Sequence, residues 1–293
     1  MIKLALIGDS AARHYTVADR LWELISVVAN KKFTFDVIPA ASPNEVIAVF
    51  EAFRADRSFV GFNISPPWQT VLATRLETHE KLIDLPILNA VYKDSSGRVA
   101  GVNTEPLATQ LALEANINVY TCKSVLVIGT EGSGVPIAHH FLHNLGKQTY
   151  LYDPSYEQSR AEEGIVYLSS LLDVAECHYD VIINTTPLGR YYFDKRLEAF
   201  TSPLDLEILD RISHKGTVVQ ETNYLPSNTL LLQMARHLDL RVVTGERTLV
   251  FTAIESLRRY FGITLDENTV TMLVSEIGAY IAEREIDILD ASG

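Results

Sequence analysis

Cysteine is scarce in this 293-residue chain, where Cys122 and Cys177 are the two present. Two thiols without a local metal spacing exclude a disulfide framework and read as ordinary cysteines. Long apolar runs are missing as well: none reaches the about 18 residues of a membrane-crossing helix. The start Met-Ile-Lys-Leu-Ala-Leu-Ile-Gly is too short and too strand-like for a secretory signal, so the cytoplasm is the expected compartment. Lys and Arg form no concentrated stripe, and the formal net charge is −12. A nucleic-acid surface, which needs cations to replace counterions, is therefore not expected. Neither an internal repeat nor a low-complexity segment is visible.

What is present is enough apolar sequence for two cores, in a chain longer than one typical domain. Ile2–Ile7, Phe33–Ile38 and Phe59–Ile64 read as strands, alternating with helices over 16–29, Pro43–Arg54 and Val71–Lys81. Alternation of this kind favours a parallel sheet. Leu88–Lys93 and Val99–Val102 flank Asp94-Ser-Ser-Gly97, a hairpin turn, and a helix follows over Pro106–Glu114. A second alternating set contains a helix over Val135–Leu145 and strands at Gln148–Tyr152, Val181–Asn184, Thr217–Glu221 and Arg241–Thr244. Helices over Thr248–Phe261 and Glu267–Arg284 end the pattern.

Between the two sets stands Ser124-Val-Leu-Val-Ile-Gly-Thr-Glu-Gly-Ser-Gly-Val-Pro-Ile-Ala138, an apolar strand that runs through glycines into a helix. Backbone N–H groups and the helix dipole at such a turn stabilise a pyrophosphate. Gly129, Gly132, Ser133 and Gly134 are the candidate cofactor contacts. The spacing departs from strict G-x-G-x-x-G, and Glu131 brings a carboxylate that must turn to solvent if a phosphate is to bind. About 20 residues on, Asp153 ends a strand, where a carboxylate accepts from ribose hydroxyls and repels a 2′-phosphate.

Five local sequences, in register, resemble the shikimate dehydrogenase family over nearly the whole chain. Gly61-Phe-Asn-Ile-Ser-Pro-Pro67 is similar to its G-x-N-V-T-x-P, and Gly97-Arg-Val-Ala-Gly-Val-Asn-Thr-Glu105 to its G-x-x-x-G-x-N-T-D. Asp180-Val-Ile-Ile-Asn-Thr-Thr-Pro-Leu-Gly189 resembles D-x-x-I-N-A-T-P-x-G. Tyr224-Leu-Pro-Ser-Asn-Thr-Leu-Leu-Leu232 resembles Y-x-P-x-x-T-x-L-L, and Gly245-Glu-Arg-Thr-Leu-Val250 resembles G-x-x-M-L-V. The resemblance implies an α/β fold of two domains: a discontinuous βα-alternating substrate domain, 1–104 plus 248–293, and a Rossmann-like dinucleotide-binding domain, 105–247. It also implies an active cleft between them. Asn184, Thr185, Thr186, Pro187 and Gly245 join the cofactor contacts on this basis.

The family reaction moves a hydride between a nicotinamide ring and a carbon bearing a hydroxyl, so a proton must leave or join the oxygen. The family's lysine and aspartate for this task match Gln69 and Glu105 here. Gln69 can hydrogen-bond an alcohol but cannot carry a proton. Glu105 keeps the carboxylate and can act as the base if burial raises its pKa. The family's two carboxylate-binding serines match His14 and Thr16, with Arg13 beside them, and the family's glutamine matches Thr252. Asn63, Ser65, Asn89 and Tyr224 persist as substrate contacts, although Ala90 stands where a threonine follows Asn89 in the family. NADP-using relatives carry an arginine where Pro154 stands, so NAD is favoured over NADP.

The expected activity is NAD(P)-dependent oxidation or reduction of a small hydroxylated, carboxylate-bearing metabolite, and not efficient turnover of shikimate. A small molecule is the expected partner, with neither nucleic acid nor membrane, and a homodimer is allowed. The alternative is a non-catalytic paralogue that binds a dinucleotide or metabolite in a regulatory or scaffolding role. Plainer roles exist for several residues. Asn63 and Asn103 beside strand ends are of the type that caps backbone groups. Pro66-Pro67-Trp68 suits a rigid turn over a buried tryptophan. His139, His140 and His143 read as solvent-facing helix residues and no metal is expected. Glu283 to Asp290 reads as a solvated helix end.

Overall fold

The computed structural model describes residues 1–10, 12–76, 78–79, 87–153, 164–191 and 200–290. Two compact units are present, Met1–Glu105 with Val250–Ala279, and Pro106–Leu249 with Tyr280–Gly293.

The first unit begins with β1 (Ile2–Gly8), the short α1 (Ala12–Tyr15), α2 (Ala18–Val28), β2 (Phe33–Pro39), α3 (Pro43–Ala55) and β3 (Phe59–Ile64). Helix α3 starts at a capping box. Ser42 Oγ accepts from Glu45 N at 3.4 Å, and Glu45 Oε2 accepts from Ala41 N at 3.0 Å, while Pro43 has no N–H that would need an acceptor. Two 3₁₀ turns, Trp68–Thr70 and Ala73–Arg75, precede β4 (Thr78–His79), β5 (Ala90–Lys93) and β6 (Val99–Val102). The sheet order is β2-β1-β3-β5-β6-β4.

Two expectations are corrected here. The sheet is mixed, because β5 runs antiparallel to both β3 and β6. The Asp94–Gly97 turn reverses the chain, with Gly97 at φ +81 and Asp94 Oδ1 accepting from Ser96 N at 2.8 Å. No single helix forms over 71–81; the 3₁₀ turns and β4 take that place in the described part, and residues 80–81 lie outside it. Leu76 is drawn down against Gly101, where an added Cβ would lie 2.3 Å from Leu76 Cδ1. Tertiary packing overrides the local spacing.

One face of this sheet covers a core of Phe50, Phe53, Phe59 and Phe62, with Phe53 and Phe62 edge to face at 5.1 Å. Tyr260 stacks on Trp22 at 5.8 Å. Gly61 makes this possible, since a Cβ there would meet the Tyr260 ring at 2.6 Å.

The second unit contains α4 (Glu105–Glu114, whose first residue belongs to the first unit), β7 (Ser124–Ile128), α5 (Gly134–His143), β8 (Gln148–Tyr152) and β9 (Ile165–Leu168). It continues with α6 (Leu171–Val174), β10 (Val181–Asn184), α7 (Leu206–Ile212), β11 (Val218–Glu221), α8 (Leu230–His237) and β12 (Arg241–Val243). Helix α9 (Gly245–Phe261) leads back to the first unit, and α10 (Glu267–Asp290) ends the fold. The six strands, ordered β12-β11-β10-β7-β8-β9, are all parallel. Strand order reverses between β7 and β10, the switch point at which such sheets bind ligands beyond their carboxyl ends. Register sets Ile128, Asn184 and Glu221 side by side there. Strands β10 and β11 are buried throughout, as a parallel sheet covered on both faces requires. Among the described residues, no helix is long and apolar enough to cross a membrane.

Candidate active site

In the first unit, the ends of β3 and β6 and the start of α4 gather amides and hydroxyls around one carboxyl group. Gln69, 3% exposed, donates from Nε2 to Glu105 Oε1 at 3.4 Å and to Ile64 O at 3.5 Å. Asn89 holds Thr104 through Oδ1, which accepts from Thr104 N at 2.8 Å, and also hydrogen-bonds the Glu105 side chain. Asn103 Oδ1 accepts from Glu105 N at 3.1 Å, so this asparagine does cap the backbone at the head of α4.

Burial pushes the Glu105 carboxyl up to about 7, against the hydrogen bonds from Asn89 and Gln69 that favour its charged form. The residue remains half-buried, so the acid is desolvated without being sealed in.

Asn63 joins this group through Nδ2, which donates to Asn89 O at 3.2 Å and to Ser256 Oγ at 2.9 Å. Thr252 joins through its carbonyl, which accepts from Ser256 Oγ at 2.9 Å and faces Thr104 Oγ1 at 3.4 Å. Ser65 is committed to the backbone of β1, donating from N to Ile7 O at 2.9 Å. Trp68 is half-buried and donates from Nε1 to Gly8 O at 3.3 Å.

The N-terminal trio is placed differently. Arg13 is exposed and donates from Nε to Val37 O at 2.9 Å. Thr16 is buried, and its Oγ1 accepts from Ala18 N at 3.1 Å at the head of α2. The side chain of His14 lies outside the described residues.

In the second unit, Gly129 has φ +107 and Gly132 φ +55, in the left-handed region that glycine tolerates. An added Cβ on Gly134 would lie 1.8 Å from Gly129 O, so the loop can fold back onto the start of α5 with glycine alone. Ser133 occupies the N-cap position of α5, and Glu131 is exposed. Asp153 Oδ2 accepts from Thr130 N at 2.9 Å and from Thr130 Oγ1 at 2.7 Å, pinning the glycine loop to the end of β8.

Thr185 Oγ1 donates to Ile128 O at 2.8 Å, and Asn184 Oδ1 accepts from Thr186 Oγ1 at 2.7 Å. Pro187 is exposed and Tyr224 half-buried. Gly245 lets the head of α9 approach the Asn223 carbonyl, which a Cβ would strike at 1.9 Å. Pro154 lies outside the described residues.

No protein-family model matches the chain. Shikimate dehydrogenase (NADP(+)) of Exiguobacterium sp. is 29% identical over 278 residues, 93% of this chain and 98% of the relative. Quinate/shikimate dehydrogenase (NAD(+)) of Corynebacterium efficiens is 27% identical over 230 residues, 74% of this chain and 78% of the relative. The crystal structure of shikimate dehydrogenase 1 from Peptoclostridium difficile superimposes with a TM-score of 0.80 over 96% of this chain and 99% of that one, at 17% identity, and shows the fold. Over most of its length the chain is similar to shikimate and quinate dehydrogenases, and it shares their fold.

Several residues of the site were not singled out from sequence. Thr104, though it stands within the Gly97–Glu105 motif, and Ser256, which no motif marks, are hydrogen-bond partners of Asn89 and Asn63. Glu221 is fully buried in the second unit, where burial raises its carboxyl to about 7. A single glutamate closing an apolar strand was the available signal. The histidines need a correction: His140 is buried, with Nε2 at 2.6 Å from Gln110 Oε1, and His139 is half-buried, so His143 alone of the three is exposed. Burial holds His140 down at about 4, which keeps it neutral near pH 7.

Proposed function

We propose that the chain is an oxidoreductase that moves a hydride between a nicotinamide dinucleotide and a small hydroxylated metabolite other than shikimate. The observation that carries this reading is the Glu105 carboxyl, raised to about 7 beside a glutamine amide. General acid–base catalysis works best with a group whose pKa lies near the operating pH.

The residues of the second unit fit a dinucleotide. The glycine loop at the head of α5, its anchoring to Asp153 and the outward Glu131 supply a helix N-terminus for a pyrophosphate. When bound, the dinucleotide supplies or accepts the hydride. Glu105 takes the hydroxyl proton in oxidation and returns it in reduction. Gln69, standing in our reading where relatives carry a lysine, donates to Glu105 Oε1 and so orients it. Asn89, Asn63 and Ser65 line the substrate side, with Thr252 beside them, and Tyr224 serves the nicotinamide pocket. Arg13, His14 and Thr16 are the residues proposed to hold an anionic substituent.

Asp153 at the end of β8 supports NAD over NADP. The proposed domains are 1–104 plus 248–293 for substrate and 105–247 for dinucleotide, in a cytoplasmic protein for which a homodimer is allowed.

A second reading rests on Gln69 itself. A residue that cannot carry a proton and is almost fully buried favours a non-catalytic paralogue that binds a dinucleotide or metabolite. A screen of hydroxy acids, keto acids and neutral polyols, followed by NADH absorbance, separates the two. Turnover of one class supports the oxidoreductase, whereas NADH binding with silence across all classes supports the binding protein.

A further inference from the structure

Glu221 presents a carboxylate to a ring of donors inside the second unit. Oε1 accepts from Thr222 N at 2.9 Å, Asn223 N at 3.0 Å and Asn223 Nδ2 at 2.9 Å. Oε2 accepts from Thr229 Oγ1 at 3.0 Å, and Asn184 Nδ2 lies 3.1 and 3.0 Å from the two oxygens. Each of these partners offers a hydrogen, so the ionised acid satisfies them together. An unpaired charge in such a place would cost several kcal/mol, and the donors offset that cost.

The partners belong to two segments that follow adjacent parallel strands. Asn184 and Glu221 are register partners at the ends of β10 and β11. From Asn184 the network runs to Thr186, whose N and Oγ1 both donate to Asn184 Oδ1. From Asn223 it returns, because Nδ2 also donates to Thr186 O at 2.9 Å and lies 3.2 Å from Leu188 O. Thr222 Oγ1 donates to Asn184 O at 2.9 Å, and Thr229 caps α8.

We propose that Glu221 is a positioning residue of the dinucleotide site, whose carboxylate locks segments 184–189 and 222–229 into one rigid floor beyond the sheet. This rests on the dinucleotide reading above. Glu221 touches no reacting atom; it acts through Thr185, Thr186 and Tyr224, which ride on the two segments. Breaking the lock frees both segments at once and removes the preorganisation that a bound dinucleotide exploits.

The test is a fluorescence titration of the full chain with NADH and NADPH, comparing wild type with Glu221→Gln. The isosteric amide keeps the volume but sets an NH₂ group against donors. The expected result is a dissociation constant raised about tenfold or more in a variant that stays folded by circular dichroism. Amide hydrogen exchange of the nucleotide-free protein should accelerate in both segments, a readout independent of any activity. If Glu221→Gln does not fold, Thr229→Val removes one donor to Oε2 and should weaken NADH binding about threefold while loosening both segments. An unchanged dissociation constant in a folded variant, or faster exchange in one segment alone, overturns the assignment. A wild-type chain that binds neither dinucleotide overturns the dinucleotide reading itself, and the assignment with it.

Discussion

Glu105 and Glu221 stand in similar company and do different work. Glu105 follows β6 and Glu221 closes β11, an asparagine side chain bonds each, and burial raises each to about 7. Glu221 has donors on both oxygens and no exposed surface, so both oxygens are taken up in holding the chain together. Glu105 accepts from Gln69 and Asn89 and stays half-buried, which leaves it within reach of a ligand's proton. The difference is in exposure: a fully buried carboxyl ringed by donors suits a structural role, and a half-buried one raised toward neutrality suits proton transfer.

Replacing each acid in turn puts that comparison at risk. Glu105→Gln should lower kcat by about 10²–10⁴-fold with little change in the melting temperature, as steady-state kinetics and calorimetry would show. Retained turnover would remove Glu105 from the chemistry. Glu221→Ala should instead destabilise the fold by about 3 kcal/mol or more in urea denaturation, because buried donors lose their acceptor. A loss below about 0.5 kcal/mol would mean that the network is not holding the second unit.

The smallest effect concerns pH. With Glu105 as the proposed base, oxidation of the alcohol would need its ionised form, so the rate should rise with pH to a plateau above about 7. Gln69→Lys would bring a cation to the same oxygen and should move the midpoint down by about one to three units in a pH–rate profile. An unmoved midpoint would show that another group titrates. The sign for stability is opposite to that of activity. Both acids have folded pKa values near 7, above the ordinary 4.5, so the folded state holds the extra protons. Their contribution is complete below about pH 4.5 and is lost as pH rises through 7.

Much of the fold was legible in the sequence because apolar periodicity and glycine placement act locally. Phe59–Ile64 and Gln148–Tyr152 form strands with the expected bounds, and the Asp94–Gly97 turn closes its hairpin. Elements were missed where the local pattern is short or polar, as in β9, α6 and α7, and none was expected at α8 either. The expected helix from Val71 does not form, and Leu76 lies against Gly101 instead. At the site, the motifs brought Gln69, Asn89 and Glu105 into view together. They could not show that Asn89 also holds Thr104, or that Arg13 and Thr16 make hydrogen bonds to backbone at β2 and α2.

The glycine turn, the alternation of strands and helices and the identity of each candidate acid were determined by sequence alone. They depend on backbone sterics and side-chain chemistry, which neighbours in the chain already carry. Tertiary structure alone decided which acid is structural and which is available. A carboxyl group's pKa and hydrogen bonds depend on what surrounds it in space. Gln69 reaches Glu105 across 36 positions of sequence, and Asn184 reaches Glu221 across 37.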